Sequence, residues 1–158
     1  MKSLRTEFAK VAEVELVYRN KTKARERRRV ITSQEAYDLF LQTWDDDKIE
    51  LQEQFRIMLL DRGNRCMGIS TIATGGISSC VVDLKIAFAA ALKARASGII
   101  MAHNHPSGET RPSEHDKRLT NIFAQAGGVL DIPVLDHIVV TKDGYTSMAD
   151  EGLIVSSP

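Results

Sequence analysis

The stretch Ile99-Ile100-Met101-Ala102 constrains this chain more than any other. Four apolar residues follow Gly98 and break off at His103-Asn104-His105-Pro106. A run without polar alternation has no face to offer to water, so it reads as a short strand central in a sheet and covered on both sides. The sequence around it supplies the covers. Val82–Ser97 is rich in Ala, Leu and Lys and reads as a helix. Ile86, Ala89, Ala90 and Lys93 mark its repeat, Phe88 and Leu92 stand four apart, and Gly98 is placed to stop it. A further helix is expected to open at Ser113 and close at Gly127-Gly128. A strand from Val134 to Lys142, an Asp143-Gly144 turn and a short strand at Tyr145–Ser147 follow.

Ahead of the run, Phe55–Asp61 reads as a buried strand, Arg62-Gly63-Asn64 as a turn and Met67–Ala73 as the returning strand of a β-hairpin. Thr32-Ser33-Gln34-Glu35 spells a capping box. It opens a helix through Ala36, Leu39 and Phe40 to about Trp44, followed by Asp45-Asp46-Asp47. The alternating, β-branched Val11–Tyr18 predicts a short strand. Arg19–Arg29, with seven basic residues against Glu26 alone, reads as a solvated, mobile loop. At 158 residues there is room for one core. The expectation is one compact α/β (α+β) unit, helices packed on a sheet. Residues 1–50 would contribute a strand, the basic loop and a helix, packed on the domain formed by 51–158.

Charge and cysteine content narrow the function. Lys plus Arg and Asp plus Glu both number 21, so no overall charge favours nucleic acid as a partner, and only segment 19–29 offers it a minor, local place. Few aromatics accompany that segment to stack on bases. Met1–Lys10 lacks the apolar run of a secretory signal, and no stretch is long enough to span a membrane; the cytoplasm is the expected compartment. Cys66 and Cys80 form no C-x-x-C pair and precede all four histidines, which argues against a Cys/His zinc knuckle. They read as free thiols serving as small hydrophobes.

The chemistry concentrates after the apolar run. His103 and His105 are two apart at its exit, so an extended backbone turns both imidazoles to the same side. Two such rings suit a zinc ion, which prefers nitrogen and carboxylate ligands and in catalytic sites keeps one position for water. Asp116 is well placed as the third ligand, one turn into the helix opened at Ser113, with Pro106-Ser107-Gly108 and Pro112 bending the chain back. A blander account exists: Ser113-x-x-Asp116 is also a helix cap, and histidines two apart can be half-buried strand residues. Their concurrence within one short segment favours the site, and a cap and a ligand are compatible roles. His115 should point about 100° away from Asp116 on its helix and be exposed. His137, on an apolar strand, reads first as a satisfied core histidine; helping to orient a ligand is the lesser reading.

His103-x-His105-Pro106 followed by Ser113-x-x-Asp116 resembles the signature of the JAMM (JAB/MPN) metalloproteases. His-Asn-His-Pro-Ser-Gly, Pro112-Ser113, Asp116 and Leu135-Asp136-His137-Ile138 look like segments of the bacterial RadC-like branch. The resemblance covers roughly Leu51 to Ile154. It implies a mixed, curved β-sheet flanked by helices, with cytidine-deaminase-like layering. It further implies that His103, His105 and Asp116 hold Zn2+ and that Ser113 positions the water or stabilises the oxyanion. Glu53, with Glu50 as competitor, would act as general base through the zinc-bound water. The implied activity is hydrolysis of an amide, isopeptide or peptide bond in a peptide or protein substrate.

Two departures accompany the resemblance. RadC proteins commonly carry a helix-hairpin-helix domain, and no such motif is read in residues 1–50. Where family members often have His-Pro-Arg-Glu before the long helix, this chain has Asp83-Leu84-Lys85-Ile86, which bears on substrate contacts and not on the metal ligands. The rival reading, from RadC's association with DNA repair, is a DNA-associated or partner-binding protein without turnover. The resemblance to an HNH nuclease is nominal, because there the three residues are spread through a ββα unit, whereas here they are consecutive. A nucleobase deaminase is excluded because no cysteine follows His103.

Overall fold

The computed structural model describes residues 9–15 and 17–155. Its centre is a five-stranded sheet in the order β2-β1-β3-β4-β5, with β1 Gln54–Leu60, β2 Cys66–Thr74, β3 Gly98–Asn104, β4 Val134–Val140 and β5 Tyr145–Ser147. Strand β1 runs antiparallel to β2 and β3, β3 is parallel to β4, and β4 is antiparallel to β5. The apolar run thus takes the middle position, and every residue of β3 is buried. The mixed sheet is flanked by helices, as the resemblance implies.

The pleat sorts the core into two layers. Met58, Leu60, Ile100, Ala102, Ile138 and Val140 point to one face and meet Ala36, Tyr37, Phe40 and Trp44 of the first helical segment. Helix α1 spans Ser33–Thr43, and its capping box forms: the Thr32 side chain accepts from the Glu35 N–H, and Glu35 reaches back to the Thr32 N–H. Phe55, Ile57, Leu59, Ile99 and Met101 point to the other face. There they pack on Phe88 from helix α2 (Leu84–Lys93) and Phe123 from helix α3 (Glu114–Val129).

Both later helices end differently from expectation. The predicted helix Val82–Ser97 begins at Leu84, capped by the Asp83 carboxylate, and ends at Lys93. Gly98 does not stop it. Arg95 takes a left-handed conformation (φ 57°), and the Ala96 N–H returns to the Ala91 carbonyl, closing a Schellman turn. Gly98 is instead the first residue of β3, where a Cβ would come within 3.2 Å of the Leu135 side chain. Likewise α3 runs through Gly127-Gly128 to Val129 and closes with Asp131 at φ 56° and the Ile132 N–H on the Gly127 carbonyl. Gly127 lies inside the helix, at a position where a Cβ would meet the Ile132 carbonyl oxygen. Strand β4 stops at Val140, two residues short of the expected Lys142, because the Thr141 side chain and main chain close the turn on Gly144.

The strand predicted at Val11–Tyr18 does not form among the described residues. Val11, Val14 and Val17 are exposed, having found no partner strand to complete a ladder, and Leu16 lies outside the described residues. The basic segment is not simply a free loop. Ala24–Glu26 makes a 3-10 turn, Arg27 pairs with Asp61 at 3.1 Å, and the Arg28 carbonyl accepts from the Cys66 N–H. Cys66 and Cys80 are free. Among the described residues, no helix is long and apolar enough to cross a membrane. Phe40 is fully buried between α1 and the sheet. Phe40→Ala is expected to lower unfolding free energy by about 3–5 kcal/mol, measured by denaturant titration; a loss under about 1 kcal/mol would contradict this packing.

Candidate metal centre

Strand β3 delivers its last residues to different sides. His103 continues the series of Ile99 and Met101 and points toward α3, while Asn104 turns to the opposite face. His105, just past the strand, returns to the side of His103. Their Nε2 atoms lie 2.9 Å apart. Asp116 completes the group, with Oδ2 3.2 Å from His103 Nε2 and 3.4 Å from His105 Nε2. Ser113 is the N-cap, so Asp116 is the third helical residue; Ser113 Oγ accepts from the Asp116 N–H, and Asp116 Oδ2 accepts from the Ser113 N–H. Cap and cluster coexist in one turn.

The donor atoms of His103, His105 and Asp116 all lie within 4.8 Å of one another, a group able to hold a metal ion. Two nitrogens and a carboxylate oxygen are the donor types such sites use. Burial works against ionisation of Asp116, but the His103 and His105 imidazoles beside it and the Ser113 N–H outweigh burial and hold the carboxyl well below the usual range. Burial also opposes charging of His105, yet Asp116 and the Glu109 carbonyl raise its pKa. The group is thus an anionic focus with two imidazoles drawn to it.

Beside the group opens a cleft of about 630 Å³. Glu53, Ser113 and Asp116 line it, as do His105, His115 and Ile77. Glu53 is half-buried, and burial raises its carboxyl pKa. Glu50 also reaches the cleft, but its largely exposed carboxylate pairs with Lys142 at 3.0 Å. His115 is exposed on the cleft wall, as expected from its helical position.

Two buried residues at the site carry more than their sequence context signalled. Asn104 donates to the carbonyls of Ile49 (2.7 Å) and Gln52 (2.9 Å), and its Oδ1 accepts from the Gln54 N–H (2.7 Å). It therefore grips the chain on both sides of Glu53. Its place between two histidines was the available signal. His137 is not merely a satisfied core histidine: its Nε2 lies 2.7 Å from His103 Nδ1, and burial lowers its pKa strongly. Asp136 accepts from Ser147 Oγ, the His137 N–H and the Ala149 N–H.

The strand-end histidine pair faces a capped aspartate, and the chain around it is similar to known proteins. The family model for the RadC-like JAB domain matches residues 30–153. The chain belongs to the RadC-like JAB domain family. It is 39% identical over 101 residues to a UPF0758 protein of Flavobacterium johnsoniae, covering 64% of this chain and 44% of that protein. Over 102 residues it is 39% identical to one of Symbiobacterium thermophilum, covering 65% and 44%. Over 103 residues it is 40% identical to one of Rubrobacter xylanophilus, covering 65% and 45%. Aligned segments span less than half the length of these curated relatives. The RadC-like match begins at residue 30 and so takes in α1, whose aromatic residues pack on the sheet.

Within this RadC-like JAB domain, Asn104→Ala leaves two main-chain carbonyls and one N–H without their partner. The variant is expected to lose about 2–4 kcal/mol of stability and to speed hydrogen exchange at the Gln54 amide. A change below about 0.5 kcal/mol with unaltered exchange would show that Asn104 does not hold the Glu53 segment.

Proposed function

We propose that this domain is a zinc-dependent hydrolase of the JAMM type, cleaving an amide, isopeptide or peptide bond in a peptide or protein substrate. The observation that carries the proposal is the His103, His105 and Asp116 group opening on a cleft beside a half-buried glutamate. These three residues would hold zinc; when bound, it supplies a Lewis acid and brings the pKa of water to about 7.

The remaining work belongs to side chains. Glu53 takes the proton of the attacking water and passes it to the departing amine. Burial raises its affinity for that proton, which suits a group that must both accept and return it. Glu50, paired with Lys142, is the poorer candidate. Ser113 Oγ accepts from the Asp116 N–H, leaving its hydroxyl proton to donate to the oxyanion that forms on the scissile carbonyl.

The purified protein, supplemented with zinc and desalted, is expected to carry about one zinc per chain, the stoichiometry of a site with three protein ligands. His103→Ala and Asp116→Ala are expected to lose it. Glu53→Gln is expected to keep zinc and lose about 10²–10⁴-fold in turnover on amide and isopeptide substrates. Zinc retained by both ligand variants would sink the assignment. A salt-sensitive DNA affinity that survives removal of zinc, with no turnover, would instead support the DNA-associated reading, for which the exposed basic residues near Arg25 are the favouring feature.

A further inference from the structure

Behind the metal-binding group, a line of buried side chains leads away from the cleft. His103 Nδ1 lies 2.7 Å from His137 Nε2, and His137 Nδ1 lies 2.6 Å from Thr120 Oγ1. Thr120 Oγ1 donates to the main-chain carbonyl of Asp116 at 2.6 Å, with Met148 Sδ at 3.5 Å as a weaker neighbour. Thr120, His137 and Met148 are fully buried, and His103 is 2% exposed. The Phe55 ring packs edge-on against His137, 5.7 Å between centroids.

Counting protons along this line fixes each ring. A threonine hydroxyl has one proton, and both the Asp116 carbonyl and the Met148 thioether are acceptors only. An approach of 2.6 Å between the hydroxyl and carbonyl oxygens requires that proton between them. Thr120 therefore presents a lone pair to His137, and the proton on that side belongs to His137 Nδ1. A neutral imidazole has a single N–H, so His137 Nε2 is an acceptor. His103 must then donate to it from Nδ1. What remains on His103 is an unprotonated Nε2, 3.2 Å from the Asp116 carboxylate and facing the group. On the other side, His105 Nδ1 meets the Glu109 carbonyl at 2.7 Å, so the main chain performs the same service for the second imidazole.

We propose that Thr120 and His137 are positioning residues, a hydroxyl–imidazole relay that locks His103 in its Nδ1–H tautomer and presents its Nε2 lone pair to a metal ion. The relay starts on the main chain of Asp116, so the helical turn that carries one ligand also sets the tautomer of another. Its effect on affinity rests on the metal-binding reading above, whereas the tautomer belongs to the metal-free chain. The Leu135-Asp136-His137-Ile138 segment thereby gains a role, because it supplies the middle member of the relay.

The test uses 15N-labelled histidine and long-range proton–nitrogen correlation spectra of the metal-free protein at mildly alkaline pH, beside zinc affinity from chelator competition. Wild type and Thr120→Ser are expected to show His103 as the Nδ1–H tautomer and to bind zinc alike. Thr120→Val, nearly isosteric but without the hydroxyl, is expected to mix the tautomers of His137 and His103 and to weaken zinc binding about tenfold. His137→Gln keeps an acceptor for His103 and a donor for Thr120, so it is expected to retain the His103 tautomer; it carries the test if Thr120→Val fails to fold. Protonation of His103 at Nε2 in wild type overturns the proposal. So does a weaker-binding Thr120→Val whose tautomers are unchanged, or loss of the Nδ1–H form in a folded His137→Gln. A wild type that shows the tautomer but takes up no zinc would refute the metal reading and leave the relay standing.

Discussion

Everything at this site depends on how the chain handles polar side chains at the end of a buried strand. Strand β3 is covered on both faces, and its last two residues, His103 and Asn104, are as buried as the apolar residues before them. Polar groups in that position must find partners or cost several kcal/mol. The pleat sends them to opposite faces, and each partner set has a distinct consequence. Asn104 takes main-chain groups of the segment leading into β1, so Glu53 is held at the cleft. His103 takes His137 on one side and faces the carboxylate of Asp116 on the other. The helix α3 N-terminus is thereby tied to the strand that faces it.

The same residues serve stability and chemistry, and in the Ser113–Asp116 turn the two cannot be separated. The capping box satisfies amides at the start of α3. It also fixes Asp116 Oδ2 against both histidines, although carboxylate burial alone would favour the protonated form. A helix N-terminus favours negative charge, so α3 contributes to keeping this carboxylate ionised. The cap that looks like the blander account of Ser113-x-x-Asp116 is therefore part of what makes the cluster an anionic focus.

Hairpin, central strand and capping boxes were legible because each is written in local pattern: Phe55–Asp61 with its Arg62-Gly63-Asn64 turn, the unbroken Ile99–Ala102 run, Thr32 with Glu35. Helix ends were less legible. Gly98 and Gly127-Gly128 look like stop signals, but the actual stops use Arg95 and Asp131 in left-handed conformations, with Gly98 and Gly127 giving close packing instead. Alternation at Val11–Tyr18 misled because a strand needs a partner, and local pattern does not say whether one is free.

By itself, then, the sequence determined the identity and spacing of the donors: two histidines on one side of an extended chain, and a carboxylate at a helix start. Spacing of two and three residues is local geometry, set by the strand pleat and the helical turn. Only the tertiary structure decided what stands behind and beside those donors. The parallel pairing of β3 with β4 puts Met101 opposite His137 and so carries His137 to His103, thirty-four residues away in sequence. Packing of α3 on the sheet adds Thr120, and the antiparallel pairing of β1 with β3 sets Phe55 opposite His103 and brings Glu53 to the cleft. Those contacts join residues far apart in the chain, and one sequence records which side chains are available but not which strands will lie together.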